Sequence, residues 1–523
     1  MSLFSNTMKL KKVVSAIFRM ETLRSIFFLG RGSLCFAAFS ACLFFACLLV
    51  EGCAVGPKYQ HVPTLAPPAW KEQPPWRVAD PKDAIPKGNW WSIFTNKELD
   101  GYESQAMASN QTLEISRHQL EQARASVRIS QSGLYPQANA DPIAERSRVS
   151  GNRPTFGNVT KLAPVTQNNF SVPVTVSWEA DLFGGIRRGA ESANALYQVS
   201  AANLENVRLV IASEVATDYF TLRELDDEIA VVDSAVDYQE KGLKLVQSRH
   251  DGGIASGLDV AQQETLLNST RTQATLLRQQ RSQFEHAIAS LVGAPASLFS
   301  IPVSPQRTAP PVVPLGLPTD VLERRPDIAA AERQMASQNA LIGVAQSAFY
   351  PSLGILGSGG LNSGTFSKLF NAPSFVWALG ADLAQPILNG GRLRAQLDFA
   401  KAGYQGSVAG YRQTVLTAFQ EVEDGISGLA VLSKAAETQQ QAVEAARRAL
   451  QIANDRYVGG LVTYLDVITA QENLLDNERL ATQILGQRLV TSVGLVKALG
   501  GGWDASSLQA IHVSPTLKEA IQP

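Results

Sequence analysis

The stretch RHDGGIASGLDV from Arg249 to Val260 returns 207 residues later as RYVGGLVTYLDV from Arg456 to Val467, with arginine, the glycine pair, a hydroxyl residue and Leu-Asp-Val in register. The same offset pairs Leu291-Val292-Gly293 with Ala498-Leu499-Gly500, and an offset of 206 pairs LFGGIRR at Leu182 with LNGGRLR at Leu388. Upstream, GLYPQ around Tyr135 matches AFYPS around Tyr350. The chain between about Asn96 and Gly500 is therefore one module written twice. A period near 200 residues is too long for a solenoid of small repeats, so the two copies read as structural halves of one protomer.

Each half carries the same order of elements. Helical stretches are expected from Trp90 to Tyr102 and from Gln111 to Gly133, the latter stopped by Gly133 and Tyr135-Pro136. Phe170, Val172, Val174, Val176 and Trp178 then alternate with Ser171, Pro173, Thr175, Ser177 and Glu179, the period of a strand with one apolar face. In the second copy Phe375, Trp377, Leu379, Ala381 and Leu383 do the same. Partner strands are expected at about 137–150 and 352–363, although both alternate poorly.

After each strand pair, a glycine pair opens a proline-free run. Its apolar residues, such as Leu204, Val207, Ile211 and Val215, or Tyr404, Val408, Tyr411 and Val415, keep three- and four-residue spacing. A helix from Ile186 to Arg249 would be roughly 95 Å long at 1.5 Å per residue. A second helix returns from Leu258 to Leu291, and from Leu465 to Leu499 in the other half, so each half ends in a long hairpin.

Four strands with an apolar and a polar face suit a lipid-embedded barrel, because the bilayer interior has no water to satisfy an open sheet edge. Four strands cannot close, and about eight is the smallest practical barrel. A dimer would give eight strands filled by side chains. A trimer would give twelve and leave a lumen that the long helices could extend. The expected fold class is thus an α+β membrane channel: a trimeric 12-stranded outer-membrane β-barrel, four strands per chain, continued by a long periplasmic α-helical barrel.

Composition removes other classes. The formal net charge of -1 offers no basic footprint for nucleic acid. Histidine occurs only at 61, 118, 250, 286 and 512, without ligand-like spacing, so neither metal site nor cofactor is expected. No nucleophile, base or metal constellation supports an enzyme. All four cysteines, Cys35, Cys42, Cys47 and Cys53, lie near the start. Lys9, Lys11, Lys12, Arg19, Arg24 and Arg31 precede an uncharged apolar run from Ser33 to Val50, the order of a secretory signal. VEGCAVGPKY around Cys53 resembles a bacterial lipoprotein signal, in which the cysteine is acylated, with palmitate among its chains, and becomes the mature N-terminus. Val50 and Gly52 fit that pattern and Glu51 departs from it. Ala54 in place of aspartate implies sorting to the outer membrane, anchored in its lipid. Residues 1–52 are read as a signal peptide and 53–95 as a proline-rich tether. The first repeat is 96–300, the linker 301–318, the second repeat 319–502 and the tail 503–523.

GCAVGPKY at Gly52, WWSIF at Trp90, WEADLFGGIR at Trp178, LPTDVLERRPDIAAAE at Leu317 and QPILNGGRLRA at Gln385 together resemble the outer-membrane efflux lipoproteins, the OprM-type branch of the TolC-like superfamily. The resemblance covers about Cys53 to Gly500. It implies a homotrimeric outer-membrane channel that receives drugs or other small solutes from an inner-membrane pump of the resistance-nodulation-division class through a periplasmic adaptor, and conducts them passively. A type I protein-secretion duct and a periplasmic long-helix spacer are the alternatives.

At the turn of each hairpin, Ser256 or Thr463 stands three positions before Asp259 or Asp466. S/T-x-x-D at a helix start is a capping box, stabilising by about 1 kcal/mol. Three chains would also gather these carboxylates around the periplasmic tip, where like charges repel and favour cations. By resemblance Tyr457 is the tip tyrosine, Asp259 its acidic partner and Leu465 an apolar constriction. Asp259, Tyr457, Leu465 and Asp466 are the expected gate. The tip arginine and second aspartate of the family fall at Val462 and Thr469 here. ERRPD is expected to brace the helix beginning near Asp327.

Overall fold

The computed structural model describes residues 54–61, 70–71, 89–151, 164–305, 310–313 and 324–501. The signal peptide, Cys53 and the C-terminal tail expected from the sequence lie outside the described residues. Helices α1 (Lys97–Ser109) and α2 (Gln111–Ser132) lead into strands β1 (Gln137–Ala140), β2 (Ile143–Val149) and β3 (Val165–Ala180), then α3 (Gly185–Asp251) and α4 (Gly257–Leu291). The second half repeats this as α5 (Pro326–Ser347), β4 (Ser352–Ser363), β5 (Phe375–Ala384), α6 (Arg392–Val458) and α7 (Tyr464–Ala498). Both hairpins thus fall where the spacing puts them.

Two boundaries differ from expectation. The stretch from Trp90 to Tyr102 is not one helix: a 3-10 turn over Trp90–Phe94 ends at Thr95, and Asn96 starts α1 afresh by accepting hydrogen bonds from the amides of Glu98 and Leu99. The strand expected at 137–150 is broken at Asp141-Pro142. β1 and β2 nevertheless hold one register against β3, with Ala140 opposite Val174 and Ile143 opposite Ser171. Pro142 has no amide to donate, so the ladder skips a rung rather than ending. The sheet therefore has four antiparallel strand positions in the order β1/β2, β3, β4, β5.

Register explains the two strands that alternate poorly. Val174 and Trp377 both lie opposite Gly359, and Val176 and Leu379 both lie opposite Gly357. Glycines of β4 thus share one face with the largest side chains of β3 and β5. That face also carries Val172, Leu361 and Phe375 as one row and Trp178 and Ile355 as another. From Phe170 to Trp178 the apolar band runs about 26 Å along the strand at ~3.3 Å per residue, enough for the hydrocarbon layer. Among the described residues its centre is uncovered: Trp377 is 73% exposed and Leu379 74%. At the lower rim the Trp178 indole donates to the Leu134 carbonyl at 3.0 Å, a placement suited to a lipid-water boundary.

The helices form a wall that is four deep at every height. Near the sheet the order is α2, α3, α5, α6; farther down, α4 and α7 replace α2 and α5 beside the same two long helices. The most exposed apolar side chains on these helices, from Leu276 at 56% to Phe399 at 82%, lie on α2, α4 and α6, the outermost members. Among the described residues no helix is long and apolar enough to cross a membrane.

The main core sits at mid-height, where Trp90, Trp91 and Phe94 pack with Tyr219 and Phe220 of α3, Val422 of α6 and Leu495 of α7. Arg223 and Arg281 both bind Asp226 there and donate to the carbonyls of Pro302 and Ile301, fastening the start of the inter-repeat linker. Arg325 binds Asp327, Glu421 and the Ala498 carbonyl, so ERRPD braces the start of α5 against α6 and α7 as expected. Glu103 of α1 is fully buried and neither carboxylate oxygen has a partner among the described residues. Burial, with Asp100 alongside, pushes its carboxyl up to about 9. The folded chain thus keeps a proton that the unfolded chain has released above the ordinary carboxylate range, and folding weakens as pH rises through that window. The thermal midpoint is expected to fall between about pH 5 and about pH 9, and Glu103→Gln to flatten that fall while raising the midpoint most at the alkaline end. Calorimetry across that range checks it, and an unchanged slope would show the carboxyl to be ionised in the fold.

Candidate functional site

The two hairpin tips are built alike from the chain upward. At the end of α3 the Ile254 amide donates to the Arg249 carbonyl at 2.7 Å and the Gly253 amide to His250 at 2.8 Å. At the end of α6 the Leu461 amide donates to Arg456 at 2.9 Å and the Gly460 amide to Tyr457 at 3.0 Å. This six-to-one and five-to-two pattern needs a left-handed residue, supplied by Gly253 at φ 75° and Gly460 at φ 71°. The repeated Gly-Gly pair is therefore a helix stop, and it sets where the next helix can begin.

Both aspartates of the expected gate serve that beginning. Ser256 accepts from the Asp259 amide at 3.2 Å, and the Asp259 carboxylate accepts from the Ser256 amide at 3.0 Å. The Asp466 carboxylate accepts from the amide and the hydroxyl of Thr463 at 3.0 and 2.8 Å. Each carboxylate thus sits at a positive helix end with backbone partners. Asp466 remains exposed and Asp259 half-buried. Leu465, one residue into the same turn, is 53% exposed.

Tyr457 sits apart from these surface groups. It is 8% exposed, with the Arg249 guanidinium 4.9 Å above its ring and the Tyr464 ring 4.9 Å away. Its hydroxyl makes no hydrogen bond within the described chain; burial raises its pKa, Arg249 lowers it and Asp259 raises it further. The structure therefore brings Tyr457 and Asp259 into electrostatic reach without a bond between them.

Sequence reasoning passed over three residues here. Arg249 brings a cation to Tyr457 from the other hairpin. Tyr464, only 3% exposed, donates to Gln263 Oε1 at 2.9 Å, and Gln263 Nε2 donates to the Gln239 carbonyl at 2.9 Å. The aligned arginines and the unmatched Tyr464 were visible in the repeat, but their contacts form between hairpins.

The tether positions the other expected site. Val55 donates its amide to Phe183 at 3.1 Å beside the start of α3, and Arg188 donates to the carbonyls of Val55 and Gly56. Farther along, Asn339 donates to Pro57, Tyr59 donates to Glu332, and the Lys71 amide donates to Glu423. Ala54 thus lies at the junction of sheet and helices, next in sequence to Cys53.

Comparison with known proteins adds independent support. The profile of the outer membrane efflux protein family matches residues 103–294 and 317–501, one match per repeat. The pyoverdine export outer membrane protein OpmQ of Pseudomonas aeruginosa is 33% identical over 461 residues, spanning 88% of this chain and 96% of that protein. The solvent efflux pump outer membrane protein SrpC of Pseudomonas putida is 29% identical over 478 residues, spanning 88% and 98%. The structure of the outer-membrane channel OprN superposes with a TM-score of 0.78 at 27% identity, covering 86% of this chain and all of that one. With its doubled hairpin, its uncovered apolar sheet and these relatives, the chain belongs to the outer membrane efflux protein family and is an outer-membrane efflux channel of TolC-like fold extending into the periplasm.

Proposed function

We propose that three copies of this chain close into one duct, with a 12-stranded barrel in the outer membrane and a helical barrel below it. The duct would take solute from an inner-membrane pump through a periplasmic adaptor and pass it outward without catalysis. One observation carries this reading: among the described residues, sheet and helical wall both have unpaired edges that match in kind. β5 ends the sheet on one side and β1/β2 on the other, while exposed apolar residues line α6 on one side of the helical wall and α2 and α4 on the other. Two different edges meeting head to tail generate a ring when the rotation closes. Small organic solutes are the cargo we assign, by likeness to relatives that export pyoverdine and solvents.

In the same reading residues 1–52 are removed, Cys53 is acylated, and 53–95 form a tether ahead of the two repeats. With Ala54 at the rim of the sheet, acyl chains on Cys53 would enter the inner leaflet, each buried methylene adding about 0.8 kcal/mol. Asp259, Tyr457, Leu465 and Asp466 would narrow the resting tip, the aspartates as a charged ring held in place by their capping boxes, and an adaptor would splay the hairpins.

Light scattering of the detergent-purified protein is expected to give the mass of three chains, and a soluble monomer would sink the duct. Growth with labelled palmitate should label the wild type and leave Cys53→Ser bare; equal labelling of both would remove Cys53 from the anchor. In planar bilayers, Asp466→Ala combined with Tyr457→Phe should raise single-channel conductance severalfold. Conductance equal to wild type would take the constriction away from these residues.

A further inference from the structure

The contact between Tyr464 and Gln263 has features that no other bond at the tip shares. Donor and acceptor are both buried, and they come from different hairpins, Tyr464 from the first turn of α7 and Gln263 from α4. Gln263 is fixed before Tyr464 arrives, because its amide nitrogen already donates to the Gln239 carbonyl on α3. The bond passes over Gly242 of α3, where a Cβ would stand 3.1 Å from the Tyr464 hydroxyl and 3.4 Å from Gln263 Nε2. Glycine inside a long helix is unfavourable and calls for a local reason. Here the reason is the room that this bond needs.

The internal repeat isolates the same residues. At the offset that aligns Arg249 with Arg456, Tyr464 faces Gly257, Gln263 faces Ala470, Gly242 faces Ala449 and Gln239 faces Ala446. Glycine and alanine carry neither the hydroxyl nor the carboxamide. One half holds the acceptor side, the other holds the donor, and the mirror-image bond cannot form. The cap residues, by contrast, are retained in both halves.

Around this bond the contact is incompletely satisfied. Among the described residues, Gln239 Oε1, Gln471 Oε1 and Arg249 Nε are buried without a hydrogen-bond partner. Gln239 lies on α3, to which Gln263 is tied, and Gln471 on α7, which carries Tyr464. Parting the hairpins would let water reach those orphan groups, a gain that works against closure. The closed contact is thus a buried bond between the hairpins set against polar groups that favour hydration, the makings of a two-state joint.

Building on the gate reading above, we propose that the Tyr464–Gln263 hydrogen bond, seated over Gly242, is the catch that keeps the second hairpin against the first in the resting channel. The aspartates then hold the shape of the turns, while this bond sets how readily the hairpins separate.

The test is single-channel recording of the full acylated protein in planar bilayers, comparing wild type, Tyr464→Phe, Gln263→Met and the double variant. Either single substitution is expected to raise the open fraction roughly threefold to tenfold, the factor one buried hydrogen bond commands. The double variant should match the singles, since all three lack the same bond. Gly242→Ala, which crowds the hydroxyl, should act in the same direction. Trimer mass and thermal midpoint should stay at wild-type values, which separates a catch from a general loss of structure. Wild-type gating in both single variants, or effects that multiply in the double, would overturn the catch. If those variants are silent while Asp466→Ala alone raises conductance, the catch fails and the gate reading survives. If the wild type forms no channel, both fall.

Discussion

A sheet whose two edges have no partner among the described residues sets the terms for everything else in this molecule. Alternate residues along each edge direct amide and carbonyl groups outward that, at the depth of the apolar band, have no water to bind. The chain cannot satisfy them by curling, because four strand positions are too few to close. Association is therefore built into the sheet. The helical wall carries the same condition downward, with its uncovered apolar side chains on its outermost helices. In one subunit these features look like defects; in a ring each becomes half of a contact.

In the proposed gate, one residue type at the tips would serve two purposes without conflict. An aspartate in a capping box is held by backbone partners at the positive end of a helix, which fixes its position. A carboxylate so fixed is also a good element for a charged ring, since a flexible side chain would swing away from its like-charged neighbours. Local stability and electrostatic function therefore draw on the same bonds. It follows that removing the hydroxyl partner, Ser256 or Thr463, would loosen the ring as well as the helix.

Much of this was legible along the chain, and the failures have a common cause. The repeat, the long hairpins, the helix stops and the capping boxes depend on residues close in sequence, and they fall where expected. β3 and β5 were readable because each carries its own bulk, from Phe170 to Trp178 and from Phe375 to Leu383. β1 and β4 stand where expected but alternate poorly, because Ala138, Ala140, Gly357 and Gly359 leave the apolar face to side chains on the neighbouring strands. Periodicity along one strand cannot detect an apolar face assembled across four. The tip divides the same way: Asp259 and Asp466 announced themselves by spacing, whereas the burial of Tyr457 beneath Arg249 exists only once the hairpins meet.

Duplication adds a mechanical consequence. Two equal hairpins per chain would give a ring of alternating, nearly equivalent joints, and a ring with equal joints has no preferred place to part. Departures from the repeat break that degeneracy. Tyr464 and Gln263 place a buried polar bond at the joint within each chain, while Gly257 and Ala470 leave the corresponding positions small and apolar. Buried polar contacts specify one arrangement more sharply than apolar packing does, because misalignment strands their donors and acceptors. Apolar joints tolerate sliding. A tube that must stay assembled while its end dilates needs both kinds, and the sequence supplies them by letting its two halves diverge at these few positions while the turns beside them stay alike.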